Sequence, residues 1–435
     1  MGGAVSSVLS IAGAVVIGAG ITVTGGALAV AWGTVAIGAT MIAGATALAP
    51  RPRVQSLGNQ NYTQQTSNRS LMIKQPITHR DTVYGTSKKS GAILFMESTN
   101  NNKEMHIVVQ VASHEIQSFD TIYFNDEALS LTSYGTDSNG ITRQRVTAPS
   151  KYTGFSTVRP IADYKIRIKQ HLGSDNQLAD ADLVSAVSKW TSNHRLRGIA
   201  YLYIRMEYDT DMFPNGIPNI SAEIKGKKIL DFRTGSTAHS SNPALCVYDY
   251  LTDTRLGLGI STDNIDTTSF TTMANLCDEN VTLSGGGTEK RYTCNGVVYS
   301  DIPPMQILDD MLTSCTGVLS YSNGKFILRG GQYVSPSVTL TDDDFISQIA
   351  IESKKSRRDL FNTVKGVFTS EETSWQPSDY PMVTSSTFSD ADGEVIYADI
   401  DLPFTTSSAT AQRIAKIALF KNRQQIVLSA QVKMT

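Results

Sequence analysis

The chain has 435 residues, 40% of them apolar and 18% charged, and its 38 Lys and Arg nearly balance 40 Asp and Glu. That length accommodates about two to four domains, and the balance excludes a global basic field that would hold nucleic acid by counterion release. An ordinary apolar content likewise excludes disorder as the default state.

Charge is not evenly spread. Residues 1–50 contain no Asp, Glu, Lys, Arg or His, and Gly and Ala dominate them. A secretory leader needs a basic start and a short apolar core, and this tract has neither. It is long enough for two membrane helices broken near Thr24-Gly25-Gly26, although Gly and Ala drive insertion less than Leu, Ile or Phe. Three readings stay open: an apolar tract that inserts into a membrane, one that packs on an apolar partner in an assembly, and a disordered or processed leader. Val15, Ile17, Ile21, Trp32 and Ile37 are the side chains expected to make the membrane or partner contact. Arg51 and Arg53 suit a headgroup boundary in the first case.

Residues 51–75 are polar and read as a linker. From Pro76 onward short strands are expected. Residues 105–111 and 121–124 are β-branched or aromatic runs, and Asn125-Asp126 follows as a turn. Residues 164–169 alternate strictly, as a half-buried strand does, and 198–208 form a longer strand with aromatics on both faces. Helices are fewer. Asp180 can cap a segment reaching Trp190, and Asn242 with Pro243 opens another. Pro303-Pro304 starts a third, which Gly317 can close. Thr341 before Asp342, Asp343 and Asp344 marks a helix start. Ser408 precedes a last helix whose Ala411, Ile414, Ala415 and Ala418 make one apolar stripe.

Catalytic patterns are few. Neither a GxSxG elbow nor a phosphate loop is present. His114-Glu115 lacks the second His of a zincin and reads as a structural pair at a strand end. Asp390-Ala391-Asp392-Gly393 lacks the later ligands of a calcium loop and reads as a hairpin turn. Gly285-Gly286-Gly287 reads as a loop. Cys246, Cys277, Cys294 and Cys315 form no CxxC pair and read as plain thiols.

Several phrases together resemble the tail tip attachment protein J family, the central hub proteins of long-tailed bacteriophages. They are Arg80-Asp81-Thr82-Val83-Tyr84-Gly85, the run from His114 to Glu127, Gly198 to Leu202, Phe213 to Asn219, Ile224 to Arg233, and Ser241-Asn242-Pro243 through Gly259. The stretch from Cys277 to Lys325 resembles the family's small α/β insertion, and Asn362 to Ala415 its return to the sheet. The likeness covers residues 76–435.

The fold class expected is α+β and sheet-dominated, a multidomain tail-hub architecture. It has β-barrel-like domains and a small α/β insertion, preceded by an apolar N-terminal helical tract. The divisions expected are an apolar tract 1–50, a linker 51–75, a first β-rich domain 76–260, an insertion 261–335 and a returning β-rich segment 336–435. The resemblance implies a homotrimeric hub closing the distal end of a tail tube. Its partners would be the distal tail protein, the tape measure protein and other tail tip proteins, with host membrane contact through residues 1–50. Host attachment and DNA ejection would follow. No catalytic residue, cofactor, metal or sequence-specific nucleic-acid binding is expected. Family members usually carry long C-terminal receptor-binding parts, so receptor recognition is expected to rest on parts beyond these 435 residues. Two other classes compete: a membrane-anchored bacterial surface or secretion-system component, and an envelope-glycan depolymerase using two facing carboxylates.

Overall fold

The structure, a computed structural model, describes residues 78–433 without 160–162, 334 and 336–337, together with Met72 and three stretches of the first thirty residues. Those three, Ala12–Val16, Val23–Thr24 and Ala27–Leu28, are extended. The helix expected of the apolar tract is therefore not found in these pieces. β-Branched Val15 and Val16 favour a strand, which pairs antiparallel with Val427–Gln431, and Val23 pairs with Leu28. The rest of that tract, and the linker apart from Met72, lie outside the described residues.

The first half of the chain builds a sheet that curls into a barrel. Its strands are β1 (Asp81–Tyr84), β2 (Thr86–Lys89), β3 (Ile93–Thr99), β4 (Glu104–Ala112), β5 (Ile116–Phe124), β6 (Glu127–Thr136), β7 (Thr142–Ala148) and β8 (Ile166–His171), followed by helix α1 (Ala181–Ala186) and strands β9 (Ala200–Glu207), β10 (Ile220–Asp231) and β11 (Ser236–His239). All but β1 belong to one ten-stranded sheet, in which β11-β10-β5-β6-β7-β8-β9-β4-β3 are successive neighbours. Asn125 and Asp126 both take positive φ in the turn between β5 and β6, the mirror-image geometry that matches strand twist.

Closure comes from one bend. β2 pairs with β10 and β3 with β4, so the chain through Ser90-Gly91-Ala92 joins the two ends of the sheet. Gln110 N–H donates to the Ala92 carbonyl at 2.9 Å there. A Cβ on Gly91 would overlap the Gln110 carbonyl oxygen, so only glycine fits the close approach. Inside the barrel Ile107, Val109, Ile122, Ile166, Ile168, Leu202, Ile204 and Ile224 form one core. Each such side chain contributes roughly 1.5–3 kcal/mol.

The second half builds a separate apolar core from helices α2 (Pro243–Thr252), α3 (Thr267–Asp278) and α4 (Pro304–Thr313), strands β12 (Gly296–Tyr299), β13 (Gly317–Ser322) and β14 (Lys325–Gly330), and a later group: β15 (Thr363–Lys365), β16 (Val367–Ser370), α5 (Ser386–Asp392), β17 (Tyr397–Asp399), α6 (Ser408–Asn422) and β18 (Val427–Gln431). Asn242 caps α2 by accepting from Ala244 N–H at 3.1 Å, and Pro243 follows at the first helical position. Ala411, Ile414, Ala415 and Leu419 of α6 enter this core, and Ala418 is buried as well.

Five local expectations change. The Asp180-capped helix stops at Ala186, because Val187 turns extended and Trp190 is drawn instead onto Phe95, 5.0 Å away between ring centres. The left-handed residue after α4 is Thr316, φ 51°, and Gly317 already opens β13. Asp342–Asp344 make a single 3-10 turn. The cap of α6 is Ser407, accepting from Thr410 N–H at 3.2 Å, one residue before Ser408. Asp390–Asp392 end helix α5, and Gly393 (φ 73°) is its C-cap, so the expected hairpin turn is a helix terminus. Asp392 is pulled there by Arg423 of α6.

Candidate functional site

Two clusters organise the described residues: a seam between the two cores and an ionic layer on the outside of the barrel. The seam is the segment 80–85. β1 pairs with β12, and alternate side chains leave it in opposite directions, as strand geometry requires. Val83 enters the barrel core while Tyr84 enters the second core. The buried Tyr84 hydroxyl donates to Asp249 of α2 at 2.7 Å, and Lys227 of β10 reaches the same carboxylate at 2.6 Å. Burial pushes the Asp249 carboxyl up, against the pull of Lys227. Asp81 pairs with Lys89 and accepts from Ser113 Oγ at 2.6 Å. Val83 N–H donates to His114 Nε2 at 2.8 Å. His114 thus has a structural part, and burial lowers its pKa to about 4. Gly85 has φ 62°, and a Cβ there would overlap the Cys294 carbonyl and the Asn295 side chain.

The ionic layer lies on the opposite side of β4, β8 and β9 from the barrel core. Lys169, wholly buried, pairs with Asp137 and lies 2.6 Å from Asp180. Asp180 is also 2.8 Å from His171 Nε2. Arg205, also buried, reaches Asp163 at 2.6 Å. Arg167 bridges Asp163 at 2.6 Å and Asp182 at 3.0 Å, and Arg143 makes a forked pair with Asp182 at 2.8 and 2.6 Å. Arg159 grips Glu104 in the same forked way, at 2.7 and 2.9 Å. Burial works to raise the carboxyls of Glu104, Asp163, Asp180 and Asp182, but their partners outweigh it. Arg205 and Arg167 hold Asp163 well below the carboxylate range, and Arg143 with Lys169 and Arg167 holds Asp182 at about 2. Burial lowers His106 to about 4, and its ring is hydrogen-bonded to Tyr203 at 2.9 Å.

Alternation over residues 164–169 marks a half-buried strand but does not reveal that its charged face is covered. The signal for it is the acidic complement: Asp137, Asp163 and Asp180 in the loops beside these strands and Asp182 in the first turn of α1. The chemistry of the layer is structural: every carboxylate is matched by a cation. Among the described residues no group of three or more His, Cys, Asp or Glu is placed to hold a metal, and no helix is long and apolar enough to cross a membrane. Of the residues expected to contact a membrane or partner, Val15 lies in the strand facing Leu428. Ile17, Ile21, Trp32 and Ile37 lie outside the described residues.

No protein-family model matches the chain. Among curated proteins it is 27% identical to the tip attachment protein J of Escherichia phage SECphi27 over 191 residues, 39% of this chain and 16% of that protein. It is 23% identical to the baseplate hub protein pb3 of Escherichia phage T5 over 404 residues, 80% of this chain and 42% of that protein. The chain is thus similar to a phage tail tip attachment protein and to a phage baseplate hub protein. The match spans less than half the length of either curated relative. Its fold is that of a chain in the virion of a native gene transfer agent particle, with a TM-score of 0.50, 11% identity, and 84% of this chain and 88% of that one covered. The seam carries the Arg80–Gly85 phrase on which the sequence resemblance began.

Proposed function

We propose that the chain forms, as a homotrimer, the central hub that closes the distal end of a phage tail tube. The observation that carries this reading is the match to a baseplate hub protein across 80% of the chain. The distal tail protein, the tape measure protein and other tail tip proteins dock on it, and it takes part in host attachment and DNA ejection without catalysis of its own. The divisions 76–260, 261–335 and 336–435 belong to the same reading; the first holds the barrel, and its α2 joins residues of the last two in the second core. Residues 1–50, through Val15, Ile17, Ile21, Trp32 and Ile37, meet the tape measure or the host membrane. An open strand supports the trimer: β3 ends the neighbour order of the sheet, and Leu94 and Met96 on it are 37% and 39% exposed. An apolar sheet edge of that kind is a ready docking line.

Gold-labelled antibody against residues 51–435 on particles tests the placement by electron microscopy. Gold at the tail end opposite the head is expected. Gold confined to cell envelopes, with bare tails, overturns the hub and favours the membrane-anchored component. The mass of the purified chain in solution is expected to be that of a trimer, and Leu94→Glu with Met96→Glu to reduce it to a monomer.

A further inference from the structure

Two stretches of the chain carry charge of one sign only. Residues 183–206 contain Lys189, His194, Arg195, Arg197 and Arg205 and no Asp or Glu. Residues 330–353 contain Asp342, Asp343, Asp344 and Glu352 and no Lys, Arg or His. Arg205 belongs to the buried layer, but the rest of the first stretch lies at the surface beside β3. Trp190 packs on Phe95 of that strand, and Lys189 pairs with Glu97. Buried Gln177 holds the loop that follows. Its Nε2 donates to the carbonyls of Arg195 at 3.1 Å and Leu196 at 2.8 Å, and its Oε1 accepts from Gly173 N–H at 2.8 Å. Nε of Arg195 donates to the Ser192 carbonyl at 3.3 Å, and Nε of Arg197 to the Gln177 carbonyl at 3.4 Å. The Arg255 guanidinium lies over Gly198, close enough to overlap a Cβ there, and Asp253 nearby is taken by Lys227. Arg195, Arg197 and Arg255 are thus exposed on a braced surface with no ion pair among the described residues. Leu172 and Leu178, at the two ends of the turn that carries Gln177, are exposed beside them.

The acidic stretch is the converse. Its backbone is fixed, because Ile346 N–H donates to the Gln431 carbonyl at 2.9 Å and Ala350–Glu352 pair antiparallel with β18. Its side chains are left uncovered: Val338, Ile346 and Ile351 are 53%, 57% and 63% exposed. Asp344 is used in its own turn, accepting from Thr341 N–H at 2.7 Å and Oγ1 at 2.9 Å. Asp342, Asp343 and Glu352 are exposed and have no ion pair among the described residues.

We propose that these two surfaces meet between copies: the arginine surface of one chain docks on residues 338–352 of the next. Forked guanidinium groups suit carboxylates, and the uncovered leucines and isoleucines supply the apolar centre that an interface needs. A ring of three is built from two different patches on each chain, and these two are opposite in charge and both left open. The arginine loop adjoins the β3 edge, so the same contact names the face of the neighbour that β3 approaches. Opposed charges of this kind set which surfaces meet and how fast, more than how tightly they hold. The number of copies rests on the hub reading, while the contact rests on the charges and the uncovered apolar side chains.

The test uses the full chain, its mass followed against concentration by analytical ultracentrifugation. Arg197→Glu with Arg255→Glu is expected to raise the dissociation constant of the assembly about tenfold or more, since like charges then face each other. Asp342→Arg with Asp343→Arg is expected to do the same, and the four changes together to recover most of the parent's assembly. All four positions are exposed, and thermal midpoints near the parent's confirm that each variant folds. A variant that fails this check is replaced by its alanine counterpart, which is expected to weaken assembly less. Parent-like assembly of either pair overturns the contact, and so does loss in both pairs without recovery in the combination. A parent that stays monomeric overturns it too, while gold at the tail end would still support the hub placement. A parent trimer broken by Leu94→Glu with Met96→Glu but untouched by the charge reversals removes this contact and keeps the trimer.

Discussion

Strand β9 is buried along its whole length, yet its two faces solve different problems. Ala200, Leu202, Ile204 and Met206 enter the barrel core, where burial needs only shape. Tyr201, Tyr203, Arg205 and Glu207 face outward into a layer that the chain covers with its own loops and α1. There burial removes charges from water, and several kcal/mol per ion is offset only while partners stay in place. The inner face therefore tolerates volume-conserving change, while the outer face depends on the presence of each partner.

That contrast can be broken by mutation. Lys169→Ala strips the cation from Asp137 and Asp180 and is expected to cost about 3–5 kcal/mol in urea unfolding. Ile204→Ala, on the inner face, is expected to cost roughly 2–4 kcal/mol, and Ile204→Leu under about 1.5 kcal/mol. If Lys169→Ala proves milder than Ile204→Ala, the charged layer is not held by its pairing. Acid sharpens the same comparison. His106 and His114 fall from an ordinary 6.5 to about 4 in the fold, so the unfolded chain binds their protons more readily. Their stabilisation is complete above pH 6.5 and fades as pH drops toward 4. Asp182, held at about 2, withdraws its contribution later, between its ordinary 3.8 and pH 2. A two-stage loss of thermal midpoint on acidification is expected, and His114→Gln should weaken the first stage. At the small end, Lys189 pairs with Glu97 at 2.7 Å but is 69% exposed. Lys189→Ala should change stability by under about 1 kcal/mol.

Local chemistry was legible where a few residues decide the conformation. Asn242-Pro243 opened its helix at the expected residue, Asn125-Asp126 turned its hairpin, and the apolar stripe of α6 faced a core as its spacing required. Signals failed where two local answers were close in energy. Asp390 to Gly393 suits a turn or a helix end equally well. Arg423, thirty residues later, favours the helix end by taking Asp392. Ser407 and Ser408 compete for one cap in the same way.

By itself the sequence determined the sheet-dominated class, several of the strands and helices, and the resemblance to phage tail hubs, because periodicity, caps and short phrases are local. Only the tertiary structure decided that residues 86–99 close a barrel, that Val83 and Tyr84 serve different cores, and that Lys169 and Arg205 are buried and Arg167 mostly covered rather than solvated. Each of these depends on which distant carboxylate or carbonyl arrives beside a given residue, and no spacing along one strand encodes that meeting.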